Sequence, residues 1–250
     1  MGLELRRRFS SASYPLPKYP ARFEFGQFLR TMFLLAIDTS GKQGSIALAD
    51  CRSDSACTVL EVMPLEGGTF SAQLVPQIAS LLARHRLTKQ DVGGFAAVSG
   101  PGSFTGLRVG LAAVKALAEV LGKPIATVSS LAAVGAVAQS PGRLMAALDA
   151  GRGEVFAAHA EMGDEPNEQV LSREEFLRAA AGFIVATPDQ SVADLARGGG
   201  LPVEEVLRPR SDVVARLGWK KILAGNTVSP EQLEANYVRR PDAEIFSKPA

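Results

Sequence analysis

The sequence predicts an α/β protein made of two related domains, each a mixed sheet with flanking helices. Three observations predict it. An uninterrupted apolar run at 33–37 ends on Asp38 and is followed by a polar turn and a second strand, which is a β-hairpin. Strands then alternate with helices of 3.6-residue periodicity, as happens where a sheet gains parallel strands. Finally, Ala147-Leu148-Asp149-Ala150 echoes Ala36-Ile37-Asp38-Thr39, and each quartet is followed by glycines and a second strand, the mark of a repeated unit. Four matching positions also arise by chance, so the echo needs topology behind it. The expected division is an extension at 1–31, a first domain at 32–128 and a second at 129–250.

The extension is rich in Arg, Ser, Pro and aromatics without periodicity, and Met32 directly precedes the first strand. An early start codon, a disordered basic arm and an organellar transit peptide all fit it; the first fits best, making Met32 the expected functional start. Residues 39–44 form the hairpin tip, with a return strand from Ser45 and a third strand at 58–63. Thr69 or Ser71 is placed to cap a helix running to about Arg84, with Pro76 near its first turn, where a missing N–H does least harm. A strand at 94–98 leads through a glycine-rich loop into a long helix ending at Leu121, stopped by Gly122 and Pro124. A strand at 125–128 and a covering helix at 129–139 follow. In the second half, strands are expected at 155–160 and 183–187, then a helix at 212–224 and a terminal segment holding Tyr237-Val238-Arg239.

Composition excludes several classes. A chain that is 46% hydrophobic and 21% charged has the make-up of a folded globular protein. Its net charge is +1, but six of the 27 Lys/Arg and two of the 26 Asp/Glu lie in residues 1–31. That leaves 21 against 24, a folded part at net −3. Such a charge does not suit a protein that grips nucleic acid alone through phosphate neutralisation, so any RNA is expected to be held mostly by a partner. No run of about 18 apolar residues is available to span a membrane and no secretory apolar segment opens the chain, so a cytoplasmic location is expected. Cys51 and Cys57 lack a second pair or a His-x-x-x-His to complete a metal site and read as incidental thiols. His85 and His159 match no metal spacing.

The sharpest local feature is Gly100-Pro101-Gly102-Ser103-Phe104-Thr105-Gly106, because glycines admit close backbone approach and a helix N-terminus offers free N–H groups to an anion. It lacks the Gly-Lys-Ser/Thr of a P-loop, and its third glycine is one position late for a dinucleotide fingerprint. A tight strand-to-helix turn capped by Ser103 or Thr105 is the stronger reading and anion binding the weaker. Asp38 and Asp149 end equivalent strands; facing a cleft they could hold a hydrated magnesium ion, but each could also simply terminate its strand and cap its turn. The residues of a possible phosphate or nucleotide remnant are therefore Asp38, Thr39, Ser40, Gly100, Gly102, Ser103, Thr105, Gly106 and Asp149.

The first-domain helices have wide apolar faces. Leu74, Ile78 and Leu81 form one row, with Val75, Ala79 and Leu82 beside it. On the next helix Leu107, Leu111, Val114 and Leu121 align, flanked by Ala113, Leu117 and Val120, leaving a narrow charged stripe of Arg108, Lys115 and Glu119. Gly110, Ala112, Ala113 and Ala116 would let another helix approach closely. A sheet covers one face of a helix, so the surplus calls either for a partner or for deeper burial within the chain.

Three segments, Leu35-Ala36-Ile37-Asp38-Thr39-Ser40, the glycine-rich block continued through Leu107-Arg108-Val109-Gly110, and Asp149-Ala150-Gly151-Arg152-Gly153-Glu154-Val155-Phe156, resemble in order and spacing the signatures of the TsaB family; Tyr237-Val238-Arg239 is also similar. The resemblance spans about Met32 to Arg239. It implies the actin-like, or ribonuclease H-like, fold with two related domains. It further implies a non-catalytic dimerisation subunit, paired through the two first-domain helices with the homologous catalytic subunit TsaD and working with the ATPase TsaE. That complex transfers threonylcarbamoyl to the adenosine beside the anticodon of ANN-decoding tRNAs.

On this reading the partner-binding residues are Phe70, Leu74, Val75, Ile78, Leu81, Leu82, Leu107, Gly110, Ala113, Val114 and Leu117. No catalytic residue, intrinsic cofactor or metal is expected; ATP and a metal ion belong to the partner, tRNA is reached through the complex, and a homodimer can form when the chain is alone. Catalytic relatives hold metal with a helical His-x-x-x-His pair that His85 and His159 cannot supply. Phe70 stands where relatives often carry His. The main rival is an autonomous ATPase or small-molecule kinase of the same fold; an inactive relative of the metallopeptidases ranks lower, since it would need metal ligands and a general base.

Overall fold

The computed structural model describes residues 32–52, 56–159 and 167–238, so the extension at 1–31 and Arg239 lie outside the described residues. Strands β1 (Met32–Asp38), β2 (Gly44–Cys51) and β3 (Cys57–Leu65) form an antiparallel meander; β4 (Val92–Gly100) and β5 (Ile125–Ser129) add to β1 in parallel. The resulting order is β3-β2-β1-β4-β5. In the second sheet β6 (Leu144–Gly151), β7 (Glu154–His159) and β8 (Gln169–Ser172) make the meander, and β9 (Ile184–Thr187) and β10 (Val203–Glu205) the parallel extension, in the order β8-β7-β6-β9-β10. The two sheets have one topology. The four-residue echo is thus the trace of a duplicated fold.

The helices repeat as well. Helix α1 (Phe70–Arg84) connects β3 to β4 and α2 (Phe104–Leu121) connects β4 to β5, while α3 (Ser130–Val137) follows β5. Their counterparts are α4 (Arg173–Ala179), α5 (Gln190–Gly198) and α6 (Ser211–Leu223). Central strand β1 is apolar throughout because both its faces are covered: Leu35 and Ile37 pack with α1 and α2, and Leu34 and Ala36 with Val214, Ala215 and Trp219 of α6.

That last contact corrects the expected domain boundary. Helix α6 lies late in the chain yet packs on the first sheet, and α3, placed after the first sheet, packs through Leu131 and Val134 on Ala146, Leu148 and Phe156 of the second. The final segment also returns, with Val228 bridging to Ile125 and Leu233 buried in the first core. Residues 129–250 are therefore not one spatial unit. Each sheet needs a helix on both faces, and the chain supplies the second helix from the other half.

Local chemistry accounts for several helix ends. The Ser103 hydroxyl caps α2 by accepting from Gly106 N at 3.3 Å, and Gly122 ends it with a left-handed φ of 62°. Ser172 and Glu175 form a capping box on α4. Thr69 stands at the N-cap of α1 but its hydroxyl donates to Glu66 O instead, and Pro76 sits in the second turn of that helix rather than the first, on its exposed side. Cys51 and Cys57, expected to be separate thiols, are opposed in register across β2 and β3 and joined as a disulfide. No helix among the described residues is long and apolar enough to cross a membrane.

Candidate functional site

The first hairpin tip and the glycine-rich loop are docked against each other. At the end of β1 the Asp38 carboxylate accepts from Ser40 N at 2.8 Å and from Ser40 Oγ at 2.7 Å, closing the turn. The buried Thr39 hydroxyl donates to Gly106 O at 2.7 Å, and Ser103 N donates to Ser40 O at 2.7 Å. A Cβ on Gly106 would lie 2.1 Å from Thr39 O, one on Gly110 2.3 Å from Thr39 Oγ1, and one on Gly102 2.5 Å from Ser40 O. These glycines let the helix start and the hairpin tip share space that side chains would fill.

The expected remnant therefore does not form one site. Ser40, Gly102, Ser103 and Asp149 line the cleft between the sheets. Thr39 and Gly106 are buried beneath it, and the space beside Gly100 is taken by Asn236 O. Thr105 is exposed away from the cleft lining. Asp38 and Asp149 each close their own turn: Asp149 Oδ1 accepts from Gly151 N at 2.7 Å and Oδ2 from Ser191 Oγ at 2.7 Å. Burial pushes the Asp38 carboxyl above the ordinary aspartate range despite the Ser40 hydrogen bonds, whereas the bonds from Ser191 and Gly151 hold Asp149 below it.

The cleft, of about 1010 Å³, has an apolar back wall including Leu107, Leu148 and Phe156 and receives Lys42, Arg152 and Arg208. Arg208 ion-pairs with Asp189, whose other oxygen accepts from Asp149 N at 2.9 Å. Arg152 sits at the tip of the β6–β7 hairpin with a φ of 55°, between Gly151 at 72° and Gly153 at 81°. A two-residue hairpin of this hand demands positive φ, which Asn, Asp or Gly adopts readily and a long side chain adopts at a cost of about 1 kcal/mol.

Tyr237 closes the lip: its ring lies 5.0 Å from Phe104, and its hydroxyl accepts from Arg108 Nε at 3.0 Å. The Arg108 guanidinium covers Phe104 at 3.6 Å. Asn236 N donates to Ser99 O at 2.7 Å, and its side chain binds Glu168. Lys42, Phe104, Arg152, Arg208 and Tyr237 had no assigned role in the sequence. Phe104, Arg152 and Tyr237 do fall within the family signatures, whereas Lys42 and Arg208 carried no local signal.

The expected partner face is reduced. Phe70, Leu74, Ile78, Leu81, Leu82, Leu107, Gly110 and Val114 are buried within this chain, so they hold α1 and α2 to their own sheet. Phe70 is 7% exposed, and its ring covers Gly44 where β2 starts. Of the expected set Val75 is exposed and Ala113 and Leu117 half-buried. Val75 at 58% and Val120 at 74% exposure mark the strip that remains open, flanked by exposed Ala72, Ala79, Ala112 and Ala116. Among the described residues no three His, Cys, Asp or Glu gather to hold a metal. His85 pairs with Glu61 at 3.0 Å and His159 stacks on Phe183 at 4.4 Å.

Comparison with known proteins agrees with this architecture. The family model described as TsaD, tRNA N6-adenosine threonylcarbamoyltransferase, matches residues 66–215. The tRNA threonylcarbamoyladenosine biosynthesis protein TsaB of Escherichia coli is 30% identical over 83% of this chain and 95% of its own. That of Bacillus subtilis is 30% identical over 85% and 96%. The solved YeaZ from Pseudomonas aeruginosa superposes with a TM-score of 0.65 at 25% identity, covering 82% of this chain and 99% of that one. Identity at that level over nearly the full length of these relatives, together with the duplicated sheets and the docked hairpin and glycine loop, means that the chain belongs to the TsaB family.

Proposed function

We propose that this chain is a non-catalytic subunit in the formation of N6-threonylcarbamoyladenosine on tRNA, in the cytoplasm, docking through α1 and α2 onto a homologous catalytic subunit of the TsaD type and acting with the ATPase TsaE. Relatives named for this biosynthesis supply the reaction. The observation that carries the subunit role is the open strip of Val75 and Val120 among exposed alanines on adjacent helices. Small side chains let partner helices come close, and two valines give them apolar anchors.

The assignment of catalysis to the partner rests on how the chemistry-bearing residues are used. The glycines of the loop accommodate Thr39 and Ser40, and Asp38 is committed to its own turn. In this reading ATP and a metal ion are bound by the partner, and the same strip permits a homodimer when the partner is absent. The cationic cleft favours a second reading, an autonomous ATPase or kinase. The test is reconstitution: the full chain, a TsaD-type subunit and TsaE are incubated with ATP, threonylcarbamoyl-adenylate as the group donor and an ANN-decoding tRNA, and the modified nucleoside is measured by mass spectrometry. Product is expected only from the complete set. ATP turnover by the isolated chain, abolished by Asp38→Asn, would establish the kinase reading instead.

A further inference from the structure

Resting on that tRNA-modification reading but going beyond an indirect route to RNA, we propose that the mouth of the cleft contacts single-stranded RNA directly. An unpaired base stacks on the Phe104–Tyr237 pair, and flanking phosphates meet Lys42, Arg152 and Arg208. Phe104 and Tyr237 remain 42% and 38% exposed although both are large rings that folding could have covered. They are held in place without being buried, since Arg108 lies on Phe104 and hydrogen-bonds the Tyr237 hydroxyl. Fixed, exposed rings beside guanidinium groups form the stacking surface that takes splayed-out RNA bases.

The cations come from separate segments that only the fold unites: Lys42 from the first hairpin tip, Arg152 from the second and Arg208 from the loop before α6. Two carboxylates face these cations: Asp189 ion-pairs with Arg208, and Asp149, hydrogen-bonded by Ser191 and Gly151, lies within electrostatic reach of Lys42. Arg152 stands at the tip of the second hairpin with a left-handed backbone and lines the cleft. With the folded part at net −3, such a contact positions RNA rather than gripping it, and its strength must depend steeply on salt.

The experiment measures fluorescence anisotropy of a labelled anticodon stem-loop from an ANN-decoding tRNA against the purified full chain over a salt series. Three phosphate contacts on a single strand give a slope of log K against log salt of about −2, and Arg152→Gly should reduce it by about 0.7. Because glycine accepts the positive φ, Arg152→Gly should remain folded and unfold in a single transition close to that of the wild type. Tyr237→Ala should weaken binding about tenfold at every salt concentration, and Tyr237→Phe, which keeps the ring but loses the hydrogen bond from Arg108, should recover most of that loss. Wild-type affinity and slope in both Arg152→Gly and Tyr237→Ala would overturn the proposal. So would tighter binding of ADP than of the stem-loop, lost in the same variants, which would reassign the cleft to a free nucleotide. If the reconstituted modification works while these variants bind RNA normally, only the contact site is wrong; if stem-loop binding falls in the variants but the chain supports no modification, the contact stands and the modification reading fails.

Discussion

Asp38 and Asp149 occupy equivalent strand ends, yet their surroundings drive their carboxyls in opposite directions. A carboxyl whose folded pKa is raised favours the fold at low pH and loses that contribution as pH climbs through the folded value. Asp38→Asn keeps an acceptor for Ser40 but removes the buried charge, so its melting temperature should gain on the wild type from about pH 4 upward. Asp149 has the reverse sign: its contribution is present above the unfolded pKa and disappears as pH falls through the folded one. The deficit of Asp149→Asn should thus be greatest near neutrality and vanish in acid, and a deficit independent of pH would contradict the hydrogen bonds from Ser191 and Gly151. Gly106 offers a steric counterpart. Alanine is the better helix former by up to about 1 kcal/mol, but a Cβ 2.1 Å from Thr39 O forces the hairpin tip away. Gly106→Ala should lower stability by about 1–3 kcal/mol in denaturant titration, and an unchanged midpoint would show that the tip yields freely.

On α1 the adjacent residues Leu74 and Val75 separate two roles that periodicity alone runs together. Leu74 is 1% exposed in the first core and Val75 58% exposed beside it. Leu74→Ala should cost about 2–5 kcal/mol of stability through the cavity it leaves. Val75→Arg should leave the melting temperature nearly unchanged, but should weaken association with a TsaD-type partner at least tenfold, because a charge buried without a counterion costs more than the 1.4 kcal/mol that a factor of ten represents. Sedimentation of the mixed subunits reads this directly, and wild-type association would remove α1 from the interface. The 3.6-residue pattern made both apolar rows visible; which row the sheet takes depends on how the helix is rotated, and most of the expected partner residues proved to be core. Elements β8, α4, α5 and β10 were missed because pieces of four, seven, nine and three residues are too short for a periodic signal to rise above composition.

At the scale of the whole molecule, the exchange of α3 and α6 between the halves ties two sheets into one cooperative unit. A fragment of residues 32–128 should remain unfolded by circular dichroism, since the face of its sheet carrying Leu34, Ala36 and Ala96 would lack α6. Trp219→Ala in the full chain should cost about 3–5 kcal/mol while unfolding stays a single transition; two separated transitions would mean that the halves fold independently. The sequence by itself determined the longer strands, the hairpin tips, the longer helices, the duplication hinted at by two quartets and the family signatures. All of these rest on residues within a few positions of one another, where sterics and side-chain period act. Only the tertiary structure decided which helix row is core, which half supplies each covering helix, and that Lys42, Arg152, Arg208 and Tyr237 meet at one cleft. Burial and charge proximity between such distant segments arise when the sheets dock, and docking leaves no periodic mark in the chain.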